Sequence, residues 1–115
     1  MEKIDVVRSL AALAHPLRLE IFRALVVAGQ SGLTPGVMSE ALEVPSATLS
    51  FHLKELFAAD LVYQERASRH IIYRANYAQM DGVLGYLTQN CCAGDRCLPQ
   101  ASKTTNTTTA ASCAA

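Results

Sequence analysis

Apolar residues recur every three or four positions along the first part of the chain, which is the spacing of one face of an α-helix. In the first predicted helix these positions are Ile4, Val7, Ala11 and Ala14. In the second predicted helix they are Leu17, Ile21, Leu25 and Ala28. Pro16 in the first turn and Gly29 after the last turn mark the ends of this second helix. We expect both apolar faces to be buried.

Two shorter helices are predicted next, separated by a break at residues 43–45. Thr34 is a suitable N-cap and Pro35 a suitable first residue for the third helix. The expected inward positions of this helix are Val37, Met38, Ala41 and Leu42. Ser46 is predicted to cap the fourth helix, whose expected inward positions are Leu49, Leu53 and Leu56. The residues left on the other faces of the fourth helix are Ala47, Thr48, Ser50, Phe51, His52 and Lys54.

The period of the apolar residues changes from helical to about two between Leu61 and Ala75. β-branched and aromatic residues there flank a basic segment at residues 66–70, which predicts a β-hairpin with a basic tip. A last helix is predicted from a heptad spacing of apolar residues, a pattern that favours packing against a partner helix. Its members are Tyr77, Met80, Leu84, Leu87 and Cys91.

These elements predict a mainly α fold with a β-hairpin wing (α+β), in the order α-α-α-α-β-β-α. Two short helices joined by a tight turn and followed by a basic hairpin are the plan of a winged helix-turn-helix, a DNA-binding fold. We expect residues 1–92 to form a DNA-binding domain that dimerises through its first and last helices. Residues 93–100 are then a thiolate-bearing turn. Residues 101–115 are mostly Thr, Ala and Ser without periodicity, which predicts a disordered tail.

Composition limits the function further. A chain of 115 residues is long enough for one domain, and ten Lys and Arg against ten Asp and Glu argue against coating nucleic acid through bulk charge. The sequence has no stretch apolar enough for a signal peptide or a membrane span, so we expect a cytoplasmic protein without a membrane partner. No paired carboxylates or Ser-His-Asp set converge, so we predict that the protein is not an enzyme and takes no organic cofactor or small organic substrate.

Three stretches of sequence carry a family resemblance, namely AHPLRLEI at residues 14–21, ATLSFHLKEL at residues 47–56 and ADLV at residues 59–62. Across about residues 5–92 the chain resembles the ArsR/SmtB family of metal-responsive bacterial repressors, and the Ser-x-His-Leu run is the most specific part. The resemblance implies a homodimer that binds a palindromic operator duplex. The chain departs from the family pattern at Ser68, where the wing tip usually has Gly, and at Phe51, which replaces a commonly polar or basic residue.

The outward side chains of the fourth helix are suited to base edges and phosphates in a major groove, and the hairpin tip to the adjacent minor groove. The methyl group of thymine offers an apolar contact to Ala47 or Phe51. Arg74 is a further predicted phosphate contact beside Lys54 and the hairpin tip. The predicted DNA-binding set is Ser46, Ala47, Thr48, Ser50, Phe51, His52, Lys54, Arg66, Arg69 and His70.

All four cysteines lie in the last quarter of the chain, at Cys91, Cys92, Cys97 and Cys113. In a reducing compartment, clustered thiolates select soft ions, and trivalent arsenic is bound by three sulfurs in a pyramid. Within the family, the resemblance is to the arsenic-sensing variant with a Cys-Cys pair at the end of the last helix and a third Cys nearby. It implies Cys91, Cys92 and Cys97 as ligands of As(III), with Sb(III) as a second candidate inducer.

We therefore predict a repressor of an arsenic-resistance operon that leaves its operator when As(III) binds. The alternative is a winged-helix repressor that senses redox state or Zn(II) through the same cysteines, with Cys113 completing a four-thiolate zinc site. A thiol enzyme such as an arsenate reductase lacks support. Its Cys-x5-Arg loop, started at Cys91 or Cys92, would need an arginine where the chain has Cys97 and Leu98.

Overall fold

The computed structural model describes residues 1–94, and the order of elements within them confirms the predicted winged helix-turn-helix. The elements are α1 (Lys3–Leu13), α2 (Pro16–Ala28), α3 (Pro35–Leu42), α4 (Ser46–Ala58), β1 (Val62–Ala67), β2 (His70–Ala75) and α5 (Tyr77–Thr88), with 3-10 turns at Gly29–Ser31 and Cys91–Gly94. Most of the predicted thiolate-bearing turn and the whole predicted tail, with Cys97 and Cys113, lie outside the described residues. No helix among the described residues is long and apolar enough to cross a bilayer.

The helix starts follow local hydrogen bonding. Thr34 Oγ1 accepts a hydrogen bond from the Val37 N–H at 3.4 Å, and Pro35 is the first residue of α3, as predicted. The prediction that Ser46 caps α4 is wrong. Pro45 occupies the N-cap position in an extended conformation, and its carbonyl accepts from the Leu49 N–H at 3.0 Å. Ser46 is therefore the first helical residue, and its side chain makes no capping bond.

The core lies between α2 and α4 and is closed by α3 and the start of the hairpin. The leucines predicted to point inward on α4 are almost completely buried, as are Ile21 and Leu25 of α2. Phe22 is also buried, which the predicted stripe of α2 did not include. The largest fully buried side chains are Ile21, Leu25, Met38, Leu49, Leu53, Leu56, Leu61 and Val62. Each such side chain removed from water contributes about 1.5–3 kcal/mol, so this cluster fixes how α4 sits on α2.

The buried face of α1 differs from the prediction. Val6, Ser9 and Ala12 face the core, whereas Ile4 and Val7 are 67% and 52% exposed. Ala11 and Ala14 are exposed as well. The helix carries apolar residues on two faces, and periodicity alone does not tell which of them packs within the protomer. The face with the larger residues is the one left open.

The predicted heptad face of α5 is divided in a similar way. Tyr77 and Met80 pack against the core, but Leu84 and Leu87 are more than half exposed. Cys91 does not continue this face, because α5 ends at Thr88 and Cys91 begins a separate 3-10 turn. The apolar surface of α5 therefore stops short of the cysteines.

The hairpin has the predicted form. β1 and β2 are antiparallel and paired from Val62 with Ala75 to Ala67 with His70, so Ser68 and Arg69 form the tip. Ser68 takes the left-handed conformation, with φ at 61°, that glycine adopts more readily. A third segment, not anticipated from the sequence, joins the other edge of β2: the Leu33 N–H and carbonyl both pair with Tyr73, at 3.0 and 2.8 Å.

Gly32 makes this third pairing possible. Its φ is 68°, and a Cβ at this position would lie 2.5 Å from Ile72 Cγ2 and 2.7 Å from the Tyr73 carbonyl oxygen. Both the backbone conformation and the close approach of β2 therefore require a residue without a side chain. Gly32 thus couples the end of the α2 region to the wing.

Replacing Gly32 by Ala is expected to lower the free energy of unfolding by about 2–4 kcal/mol, because it adds left-handed strain and a clash with backbone. Gly36→Ala is the matched control, since a Cβ at Gly36 meets nothing within 4 Å. It should change stability by less than about 1 kcal/mol, in the stabilising direction for a helical position. Urea unfolding of the three proteins measures both effects. Equal stability of the two variants would contradict the packing of Gly32 against β2.

Candidate nucleic-acid interface

The outward face of α4 is solvent-exposed over its first two and a half turns. The packing of the three core leucines on α2 turns this face away from the protomer. Most of its side chains are small or polar, and Phe51 is the large apolar exception. The predicted DNA-binding residues of α4 that are exposed are Ser46, Ala47, Thr48, Ser50, Phe51 and Lys54.

The predicted wing residues Arg66, Arg69 and His70 are exposed at and beside the hairpin tip. Arg69 and His70 also line an open groove with Thr34 and Val37, at the start of α3. The wing tip and the helix-turn-helix therefore lie on neighbouring parts of one surface. Glu40 lines the same groove, but Lys54 and the two arginines outnumber it, so this surface is mildly basic.

Arg74 has partners within the protomer, which argues against its predicted role as a phosphate contact. Its Nε donates to the Gln30 carbonyl at 2.7 Å, and its Nη1 lies 2.6 Å from Glu65 Oε1. Its side chain is largely buried between the wing and the turn after α2. Arg74 is diagonal to Glu65 across the two strands, which is why the strand register brings the two charges together. Arg74 thus attaches the wing to the turn that follows α2.

His52 is likewise misplaced by the sequence prediction, which put it on the outward surface of α4. His52 is only 7% exposed, and its Nδ1 accepts a hydrogen bond from Arg18 Nε at 3.1 Å. The His15 ring lies 4.6 Å away, centroid to centroid. The signal for burial was present in the sequence, because position 52 is three residues after Leu49 and four before Leu56. A buried His52 cannot reach a base edge without leaving this site.

Burial is the largest influence on His52 and lowers its pKa below 6.5. The neighbouring His15 and Arg18 lower this pKa further, and Glu55 acts in the opposite direction. The hydrogen bond gives a consistent account, since Nδ1 can accept from a guanidinium only when it carries no proton. His52 is therefore neutral at pH 7 and serves as an acceptor for Arg18.

The predicted thiolate site is partly within the described residues. Cys91 and Cys92 are consecutive in the 3-10 turn Cys91–Gly94, and the Cys91 side chain is half-buried. Cys97, the third predicted ligand, lies outside the described residues. Among the side chains that the structure describes, which do not include that of Cys92, no three His, Cys, Asp or Glu are grouped so as to hold a metal ion. The donor chemistry of two adjacent thiols suits a thiophilic ion, and the ligand set stays a prediction.

Comparisons with known proteins agree with this geometry. A family model described as a helix-turn-helix domain matches residues 13–65. The chain is similar in structure to an ArsR-like transcriptional regulator from Rhodococcus sp. RHA1, with a TM-score of 0.70, 26% identity, and coverage of 80% of this chain and 84% of that one. No curated protein is significantly similar to the chain in sequence.

Two further solved structures are similar. One is the cadmium metal-sensor CMTR from Mycobacterium tuberculosis, with a TM-score of 0.55, 28% identity, and coverage of 83% of this chain and 98% of that one. The other is the homodimeric winged helix-turn-helix DNA-binding domain of a possible ArsR-family regulator from Mycobacterium bovis. It has a TM-score of 0.59, 22% identity, and coverage of 82% of this chain and 87% of that one.

The fold and these similarities define a winged helix-turn-helix protein with the architecture of ArsR-like regulators. The matched residues 13–65 run from the end of α1 through α4 into β1, so they contain the whole helix-turn-helix and the start of the wing. The matches are to a helix-turn-helix domain, to a protein described as a transcriptional regulator and to one described as a metal-sensor. They agree with the prediction that the chain is not an enzyme.

The lowered pKa of His52 predicts a pH-dependent stability. The unfolded chain takes up a proton near pH 6.5 that folded His52 binds only at lower pH, so its contribution is present above pH 6.5 and lost as the pH falls. The variant His52→Asn keeps an acceptor oxygen for Arg18 but does not titrate. Denaturant unfolding between about pH 7.5 and pH 5 should show a steeper loss for the wild type than for the variant. Parallel losses would contradict a buried, neutral His52.

Proposed function

We propose that the chain is a homodimeric transcriptional repressor of the ArsR/SmtB type, which binds a palindromic operator and releases it when As(III) binds its C-terminal cysteines. The observation that carries the DNA-binding part is the exposed, small and polar face of α4, together with a basic wing whose tip borders the start of α3. A 13-residue helix with such a face fits the width of a major groove. In this arrangement the wing reaches the adjacent minor groove or its phosphates.

The residues of this surface have separate tasks in the proposal. Ser46, Thr48 and Ser50 offer hydroxyl groups to base edges or phosphates, and Ala47 allows close approach. Lys54, Arg66 and Arg69 neutralise phosphates, and His70 adds a hydrogen-bonding group at the wing. His52 contacts Arg18 rather than DNA, so we assign it a positioning role.

Dimerisation is proposed through the apolar surface that α1 and α5 share. The two helices are joined by a hydrogen bond from Gln79 Nε2 to the fully buried Ser9 hydroxyl, at 2.9 Å. Large apolar side chains that remain exposed on them are Ile4, Val7, Leu10, Leu84, Tyr86 and Leu87. Several large apolar side chains exposed on two packed helices are typical of a protein interface. The similar domain from Mycobacterium bovis is described as homodimeric, which supports the same state here.

The salt dependence of DNA binding tests the interface and the dimer together. Three exposed cations per protomer give six in a dimer, so the logarithm of the association constant should fall with the logarithm of salt concentration with a slope of about −5. Arg69→Ala should make the slope shallower by about two units, because a dimer loses two phosphate contacts. The duplex can be obtained by selection from a random library, and fluorescence anisotropy measures the slopes.

Arg23→Ala is the matched control for this experiment, since Arg23 is exposed on α2 beside Leu19 and Val27, outside the proposed interface. It should leave the slope unchanged. An equal change of slope in both variants, or a slope near zero in the wild type, would contradict the proposed interface. A change of about one unit for Arg69→Ala would instead indicate that one protomer binds the duplex.

The proposed sensor follows directly on the dimerising helix. Cys91 is the third residue after the end of α5. A metalloid held by Cys91, Cys92 and Cys97 would therefore restrain the chain next to the dimer surface. Asn76, the N-cap of α5, is bonded to the turn that follows α4: its N–H donates to the Leu61 carbonyl at 2.8 Å, and its Nδ2 donates to the Asp60 carbonyl at 2.9 Å. A shift of α5 would therefore change the position of α4 relative to the second protomer.

Arsenite should weaken operator binding by about five- to a hundredfold, the usual range for coupling between two sites. The response should be lost in Cys91→Ser, Cys92→Ser and Cys97→Ser and kept in the matched control Cys113→Ser. The measurement is anisotropy of the selected duplex with reduced protein and arsenite, with Sb(III), Zn(II) and peroxide titrated separately. A response to Zn(II) or peroxide but not to arsenite would replace arsenic sensing by the alternative that the same cysteines suggest.

A further inference from the structure

Phe51 lies in the middle of the outward face of α4. Ala47, Phe51 and Lys54 follow one another at spacings of four and three residues, which places them along one line of the helix surface. Phe51 is 53% exposed, although its neighbours on this face are small or polar. A large apolar side chain at the centre of a polar surface loses contact with water only when another molecule covers it.

The ring of Phe51 is held in place without being covered. The Arg18 guanidinium carbon lies 5.9 Å from the ring centroid, near the outer limit of a cation–π contact. The His52 ring meets the Phe51 ring edge to face, with the centroids 5.2 Å apart. The Arg18 side chain is itself fixed by its hydrogen bond to His52 Nδ1. Contacts from α2 and from within α4 thus orient the ring before any ligand binds.

The chemistry of the major groove identifies what such a ring can contact. Base edges there present hydrogen-bond donors and acceptors, none of which a phenyl ring can satisfy, and one apolar group, the C5 methyl group of thymine. On the proposed function, in which α4 enters a major groove, Phe51 faces this groove between Ala47 and Lys54. A ring that is already oriented contacts a methyl group with little loss of side-chain freedom.

We propose that Phe51, oriented by Arg18 and His52, is a specificity-determining residue that packs on the C5 methyl group of one thymine in each operator half-site. Arg18 and His52 are positioning residues in this arrangement. The inference rests on the proposed DNA-binding function and adds to it a base preference at one position of the half-site.

The test removes the methyl group without altering hydrogen bonding. An operator is selected from a random duplex library with the full chain, and each thymine of the half-site is then replaced in turn by deoxyuridine in both half-sites. At one position this exchange should weaken wild-type binding by about fourfold per methyl group, the effect of exposing one buried methyl. The same exchange should have almost no effect on Phe51→Ala, whose fold is checked by thermal unfolding.

Arg18→Ala supplies the readout for the positioning role. If Arg18 also contacts a phosphate, its loss weakens binding to the thymine and deoxyuridine duplexes equally, so their affinity ratio is unchanged. If Arg18 positions the Phe51 ring, the variant Arg18→Ala instead has an affinity ratio closer to one. Thr48→Ala is the control on the same helix: because Thr48 belongs to the proposed interface, its loss should weaken binding to both duplexes by the same factor and so keep the full ratio.

The outcomes separate the inference from the function on which it rests. Failure to select any preferred duplex would overturn the proposed function and the inference with it. Selection of an operator whose affinity is insensitive to every thymine exchange, or equal sensitivity of Phe51→Ala and the wild type, would overturn the role of Phe51 alone. Methyl dependence that disappears in Phe51→Ala and decreases in Arg18→Ala would establish it.

Discussion

The packing of three leucines of α4 onto α2 is the contact on which the other features depend. Leu49, Leu53 and Leu56 are 0–1% exposed, and they bring one side of the helix fully into the core. Because a helix that buries one face must present the other, this contact decides which side chains of α4 reach solvent. It also places His52 next to α2, where its ring accepts from Arg18. The proposed base-reading surface is thus a consequence of core packing.

The order of elements and most of the core could be predicted from the sequence, because the helical and strand periods are clear and the helix ends carry Thr34, Pro35 and Pro16. The face of α1 could not, since Ile4 and Val7 mark a stripe that the protomer leaves exposed. The apolar periodicity of a helix predicts which faces are suited to burial, but it does not tell whether the same protomer or a second molecule covers them. The position of the wing depends on Gly32 and on the pairing of Leu33 with Tyr73, which are contacts between distant parts of the chain.

The candidate interface also combines features that the sequence predicts with others that depend on contacts between distant residues. Most residues on the faces of α4 away from the core leucines are exposed as predicted, because helix geometry alone determines which face each residue lies on. His52 and Arg74 were expected at the surface as polar residues, yet each is used internally by a partner that the sequence order does not reveal. Removing Arg74 from the phosphate-binding set leaves Lys54, Arg66 and Arg69. On the proposed function, a chain with no net charge needs two protomers and base contacts to bind DNA tightly, and a small movement of α5 would weaken such binding.

Contact of the outward face of α4 and the wing with DNA is tested most directly by chemical-shift mapping of backbone amides on addition of a selected duplex. Large shifts are expected for residues 46–54 and 66–70, and little change on the outer face of α2 around Leu19, Arg23 and Val27. Shifts concentrated on that face of α2, with α4 and the wing unaffected, would contradict it.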